Sequence, residues 1–196
     1  MSLTLDEKKQ WLEGVRRLPS PNCDERPSGV AIDLVVIHGI SLPPGKYGGP
    51  FIDHLFTNCL DHSIDPYFVE IADLKVSSHI VIDREGGVTQ YVPFHLRAWH
   101  AGVSEFRGRC QCNDFSIGIE LEGCDDQPYT TRQYQTGADI VGLLMAGWPG
   151  IAREHIVGHS DVAPGRKTDP GPGFDWVYFH ALIGNQHGPN TCDPQY

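Results

Sequence analysis

The sequence predicts an α/β (α+β) fold: a single domain with a central mixed β-sheet flanked by helices. Three observations carry that prediction. Short β-branched apolar runs alternate irregularly with stretches of helical spacing. No repeat interrupts the chain. A length of 196 residues, 40% hydrophobic and 20% charged, suits one domain with a real core. The domain is expected over residues 1–184, with 185–196 a flexible tail.

The elements are expected in the following order. Thr4-Leu5-Asp6-Glu7 has capping-box spacing, and Trp11, Leu12, Val15 and Leu18 continue as an apolar stripe, which predicts a helix stopped by Pro19 and Pro21. Ile32–Ile37 reads as a buried strand ending at His38. Residues 39–66 are dense in Pro and Gly and hold one short helical stretch, Phe51 to Asn58. Ser78–Asp83 and Val88–Val92 flank the turn Arg84-Glu85-Gly86-Gly87, a hairpin pattern. In FSIGIELE (115–122), Phe115, Ile117, Ile119 and Leu121 share one strand face, and Ser116, Gly118, Glu120 and Glu122 the other. Thr130-Thr131-Arg132-Gln133 opens a second helix, carried by Tyr134, Ala138, Val141, Leu144, Met145 and Trp148 and ended by Pro149. Ile156-Val157 is a short strand leading to His159. Asp175 caps a last helix, Trp176 to Ile183, closed by Gly184.

A net charge of -10 excludes a general nucleic-acid binder, which needs a basic face. No run approaches the roughly 20 apolar residues of a membrane span, and Asp6, Glu7, Lys8 and Lys9 stand where a signal peptide needs an apolar run. The chain is therefore expected in the cytoplasm, as a monomer with no membrane or nucleic-acid partner. Its six cysteines contain no C-x-x-C pair, and free thiols are expected rather than disulfides.

Chemistry concentrates at strand ends. His38 follows LVVI, His159 follows IVG, and Asp169 lies ten residues beyond His159 across the loop GHSDVAPGRKTDPGP (158–172). Two imidazoles and a carboxylate are donors zinc accepts, and three protein ligands leave a fourth position open for chemistry. His79, His100 and Asp161 are competing ligands, and on residue types alone the choice among them stays open. Glu120 shares its strand face with Gly118, whose missing side chain leaves space. A partly desolvated carboxylate there acquires the raised pKa of a general base, with a solvent-facing strand residue as the equal alternative, while Glu122, at the strand end, reads as solvent-facing. If Asp169 binds a metal, Lys167, two residues before it, is a cation placed to stabilise an oxyanion; otherwise Arg166-Lys167 reads as a solvated surface pair.

Four stretches carry a family resemblance: VVIHGISLPPG, RAWHAGVS (97–104), CNDFSIGIELEG (112–123) and GHSDVAPGRKTDPGP. Together they resemble the AmpD-type 1,6-anhydro-N-acetylmuramyl-L-alanine amidases of the zinc-dependent amidase_2 group, whose fold is shared with phage T7 lysozyme and the peptidoglycan recognition proteins. The resemblance runs from about Arg16 to Ile183. It implies zinc as cofactor on His38, His159 and Asp169, Glu120 as proton acceptor and Lys167 as the transition-state cation. It implies an anhydromuropeptide as the small-molecule substrate, cleaved between the muramic sugar and L-alanine during cytoplasmic peptidoglycan recycling. His79, Trp99, His100 and Asn113 lie in matching motifs and are expected to line the groove. Gly39 stands where family members commonly have Asn, and Gln111 where some have an Arg that grips the stem-peptide carboxylate. Lys75 aligns with another basic position, and Lys75, Arg107 and Arg109 are expected to supply positive charge to the substrate. The alternative is a muropeptide-binding module of the recognition-protein type that does not cut. An exported amidase acting on polymeric wall is a second enzyme reading.

Overall fold

A computed structural model describes residues 3–185. The expected tail therefore lies outside the described residues, apart from Asn185, which ends the last helix. A six-stranded mixed sheet forms the centre. Its strands are β1 (Arg16–Arg17), β2 (Leu34–Ile40), β3 (Ile80–Ile82), β4 (Val88–Gln90), β5 (Ser116–Glu122) and β6 (Ile156–Gly158), in the spatial order β6-β2-β5-β3-β4-β1. The pairs β6/β2, β2/β5, β5/β3 and β4/β1 are parallel, and the β3/β4 hairpin is antiparallel.

Alternation along β2 and β5 divides the molecule. Val35, Ile37, Ile117, Ile119 and Leu121 point into the main core, against Tyr134, Ala138, Val141 and Leu144 of one helix and Phe179 and Ile183 of another. Leu34, Val36 and Phe115 join a smaller cluster with Ala101 and Val162. Period two then assigns His38 to the face of Leu34 and Val36, and Glu120 to the face of Gly118. The register pairs Glu120 with His38 across the parallel strands. Both therefore emerge side by side near the carboxyl ends of the strands, where open α/β sheets hold their ligands.

The helices are α1 (Phe51–Phe56), α2 (Pro66–Glu70), α3 (Thr131–Gly147), α4 (His159–Val162) and α5 (Trp176–Asn185). The Thr130 capping box is present in full: Thr130 Oγ1 accepts the Gln133 amide at 3.1 Å, and the Gln133 side chain accepts the Thr130 amide at 3.0 Å. Asp175 Oδ1 accepts from the Tyr178 amide near the start of α5. Helix α2, capped by Asp65 with Pro66 in its first turn, is an addition to the sequence reading of residues 39–66. So is α4, a single turn opening a segment that reads as loop from its Pro and Gly content. None of the described helices is long and apolar enough to cross a membrane.

The expected N-terminal helix is absent. Thr4–Leu5 pairs instead with Leu12–Glu13 as a two-stranded ribbon, and Arg16–Arg17 joins the sheet. Asp6 Oδ1 accepts from the amides of Gln10 and Trp11, closing the turn that a capping box would have extended. The Leu12 amide donates to buried Gln90 Oε1 at 2.7 Å. Tertiary pairing here outweighs a helix-like stripe.

Candidate metal centre and active site

His38 is held by the centre of the sheet, and His159 opens α4 immediately after β6. Asp169 returns to them because the loop closes on itself: the Ser160 amide donates to Asp169 O at 3.0 Å and the Lys167 amide to Ala163 O at 3.0 Å. Gly171 and Gly173 let the far end of the loop lie against residues 125–127. The Gly173 amide donates to Asp125 O at 2.8 Å, and a Cβ on Gly171 would come within 2.6 Å of the same oxygen. Asp161, a rival ligand on residue type, instead accepts the Gly158 amide at 2.7 Å and stands outside the cluster.

The result is a tight triad. His38 Nδ1 lies 3.0 Å from His159 Nδ1 and 3.2 Å from Asp169 Oδ2, and His159 Nδ1 lies 3.1 Å from that oxygen. The remote nitrogens are engaged: His159 Nε2 faces Ala101 O at 3.2 Å, and His38 Nε2 faces His100 Nδ1 at 2.9 Å. A carbonyl only accepts, so neutral His159 carries its proton on Nε2 and presents its Nδ1 lone pair to the other two donors. Three electron-pair donors facing one another repel unless a cation lies between them. The donor set therefore fits a divalent metal of the zinc kind.

Electrostatics agree with that geometry. Burial lowers the His38 pKa to about 4, with Asp169 opposing, so the imidazole is neutral, as a ligand must be. Burial works against ionisation of Asp169, but the adjacent His159 and His38 outweigh it and hold the carboxyl below the usual range. Glu120 is 8% exposed, and its Oε2 has no hydrogen-bond partner among the described residues. Burial drives its pKa well above the ordinary value, Asp169 adds to the rise and Lys167 opposes it.

A cleft of about 640 Å³ opens over the triad. It brings together His38, Gly39, Lys75, Trp99, His100, Asn113, Glu120, His159, Lys167 and Asp169. Trp99 donates its indole N–H to Asp24 at 3.2 Å, and Asn113 Oδ1 accepts the amides of His100 and Ala101 at 3.2 and 2.8 Å.

Four expectations are corrected. His79 is fully buried behind the cleft, where its Nδ1 accepts the Gly118 amide and its Nε2 faces Leu96 O, so it does not line the groove. Arg109 pairs with Asp33 at 2.6 Å and stacks on Phe115, and Arg107 reaches His155; neither lines the cleft. Glu122, read as solvent-facing, is 4% exposed and accepts the Gly48 amide at 2.6 Å, tying the 41–49 loop to the sheet. Gln111 lies in a left-handed turn beside a separate surface groove.

The sequence reading missed Arg166, whose guanidinium donates to the carbonyls of Ala101 and Val103, and the cleft residues Tyr67, Asp125 and Asp126. It also missed Tyr129. That side chain packs into the space left by Gly39 and Gly123 and donates to Pro170 O at 3.0 Å, next to Asp169. Only position in a motif marked Arg166; nothing local marked Tyr129.

The family of N-acetylmuramoyl-L-alanine amidases matches residues 28–172. The chain belongs to that family. The amidase is 54% identical over 176 residues to the 1,6-anhydro-N-acetylmuramyl-L-alanine amidase AmpD of Escherichia coli, covering 90% of this chain and 96% of that protein. It is 50% identical to the Haemophilus influenzae AmpD, covering 91% and 97%. A crystal structure of a selenomethionine AmpD derivative superposes with a TM-score of 0.88 at 55% identity, covering 91% of this chain and 98% of that one. A structure of AmiD from Escherichia coli with the substrate anhydro-N-acetylmuramic acid-L-Ala-D-γ-Glu-L-Lys superposes at 0.57 with 28% identity, covering 93% and 66%. Fold and reaction class, amide hydrolysis next to a muramic sugar, agree with the expectation from sequence, and the non-cutting binding module is not favoured.

Proposed function

We propose that this amidase hydrolyses the bond between the lactyl carbonyl of 1,6-anhydro-N-acetylmuramic acid and L-alanine in free muropeptides, with zinc on His38, His159 and Asp169. The convergence of three donor atoms within 3.0–3.2 Å, beside an unpartnered buried carboxyl, carries the reading. The names of the AmpD relatives, which span nearly the whole chain, support the anhydro sugar. Zinc bound there supplies Lewis acidity, polarising the scissile carbonyl and acidifying water.

Glu120 does the proton work. Desolvated and free of competing donors, its Oε2 accepts the proton of the attacking water and passes it to the departing amine of L-alanine. Lys167, at the cleft wall, is the cation for the oxygen of the tetrahedral intermediate. His38 and His159, fixed by sheet and helix, keep the site in one geometry through both steps. Lys75 is the positive group we assign to the stem-peptide carboxylate, and Trp99 offers a flat face to the sugar. The cleft, at about 640 Å³, has the volume of a small-molecule site. The five cysteines among the described residues are free thiols, which supports a reducing, cytoplasmic setting for recycling.

The test is to incubate the purified protein with anhydro-N-acetylmuramyl-tripeptide and with its non-anhydro counterpart, and to follow free tripeptide by chromatography. Cleavage that prefers the anhydro sugar, stops on zinc removal and returns with zinc is expected. Full activity in demonstrably zinc-free protein would sink the zinc assignment, and equal rates on both sugars would sink the anhydro preference.

A further inference from the structure

We infer that His100 is a positioning residue of the metal centre: it holds the proton of His38 on Nε2 and so turns the Nδ1 lone pair towards the metal. This rests on the zinc reading above but concerns a residue outside the ligand set. A metal on His38 Nδ1 requires the proton on Nε2, and that proton needs an acceptor, because both rings are buried. His100 Nδ1 is 2.9 Å away. For Nδ1 to accept, neutral His100 must carry its own proton on Nε2, and Ser116 Oγ lies 3.2 Å from that nitrogen to receive it. The chain Ser116–His100–His38 thus has one consistent proton arrangement once a cation sits in the triad. Both ring nitrogens of His100 are then used, and neither is left for a substrate.

Two features show a built position. A Cβ on Gly118 would lie 2.6 Å from His100 Cγ, so the glycine in the central strand is what lets the ring approach the sheet. The neighbouring Ala101 serves the second imidazole, its carbonyl facing His159 Nε2 at 3.2 Å. Asn113 Oδ1 clamps both amides of this dipeptide, and the Arg166 guanidinium reaches the Ala101 carbonyl from the other side. One clamped dipeptide therefore orients both histidine ligands. Partners of this type typically change metal affinity about 10–100-fold when removed.

The experiment measures zinc affinity of the full chain by competition with a chelator, alongside thermal unfolding of the zinc-free proteins. His100→Leu removes the acceptor and is expected to weaken zinc about 10–100-fold. His100→Asn places an amide oxygen near the Nδ1 position and is expected to stay close to wild type. If His100→Leu does not fold, Ser116→Ala decides: freeing the His100 tautomer should loosen zinc several-fold. Unchanged zinc affinity in folded His100→Leu, or in Ser116→Ala when that variant decides, overturns the inference. So does His100→Asn binding as weakly as His100→Leu. Wild-type protein that takes up no zinc overturns instead the metal reading on which the inference rests.

Discussion

Glu120 combines a position in the central strand with nearly complete burial, and together these turn an ordinary carboxyl into a weak acid. A general base works ionised. Raising its pKa therefore moves the acidic limb of the pH profile upward: the hydrolysis rate should climb with pH through a value above the ordinary 4.5 of a glutamate. A pH profile of kcat checks this, and a limb at or below 4.5 would speak against Glu120 as the base. The choice between Asp169 and Asp161 also belongs to single residues. Asp169→Ala should abolish stoichiometric zinc by metal analysis. Asp161→Ala should retain zinc and lose only the bond to the Gly158 amide, costing about 1 kcal/mol. These residues were legible in the sequence as chemistry but not as a selection. His79 and His100, Asp161 and Asp169, Glu120 and Glu122 differ in what surrounds them, and only folding creates those surroundings.

At the scale of elements, the loop after His159 shows how backbone freedom serves the site. Gly165 and Gly171 both have positive φ, at 76° and 77°. Gly165 faces open space, whereas a side chain on Gly171 would run into the Asp125 backbone. Gly165→Ala should therefore cost only the left-handed strain, about 1–2 kcal/mol. Gly171→Ala should cost clearly more and weaken zinc as well, because the displaced backbone carries Asp169. Thermal unfolding and metal titration of the two variants test this, and equal losses would contradict it. Strong local signals survived into the structure: the Thr130 capping box, the hairpin at residues 84–87 and the alternation of residues 116–122; Phe115, expected on the face of Ile117, instead precedes the strand and packs with Leu34 and Val36. The N-terminal stripe did not, because Leu12 and Arg16–Arg17 gain more from Gln90 and the sheet than from a short exposed helix. Helix α4 was hidden because a single turn leaves no periodicity to read.

For the molecule as a whole, the sheet separates a hydrophobic half, packed on α3 and α5, from a half that buries polar groups. His38, His79 and His100 lie in the second half, and burial lowers the pKa of each. The sign follows directly. Below about pH 6.5 the unfolded chain binds protons that these folded imidazoles refuse. Stability of the zinc-free protein should therefore be full above that pH and fall as acid is added, down to about pH 4 for His38. Each refused proton contributes a slope of at most about 1.4 kcal/mol per pH unit. Urea unfolding of zinc-free protein between pH 7 and 5 reads that slope, and a flat profile would contradict the burial of neutral histidines.

On the proposed reading, Glu120 moves the proton at a metal centre built from His38, His159 and Asp169. The most direct measurement compares zinc-loaded wild type with zinc-loaded Glu120→Gln on anhydro-N-acetylmuramyl-tripeptide. Glu120→Gln should bind zinc as wild type does while its kcat falls about 10²–10⁴-fold. Release of tripeptide at a near wild-type rate by the zinc-loaded variant would contradict the account.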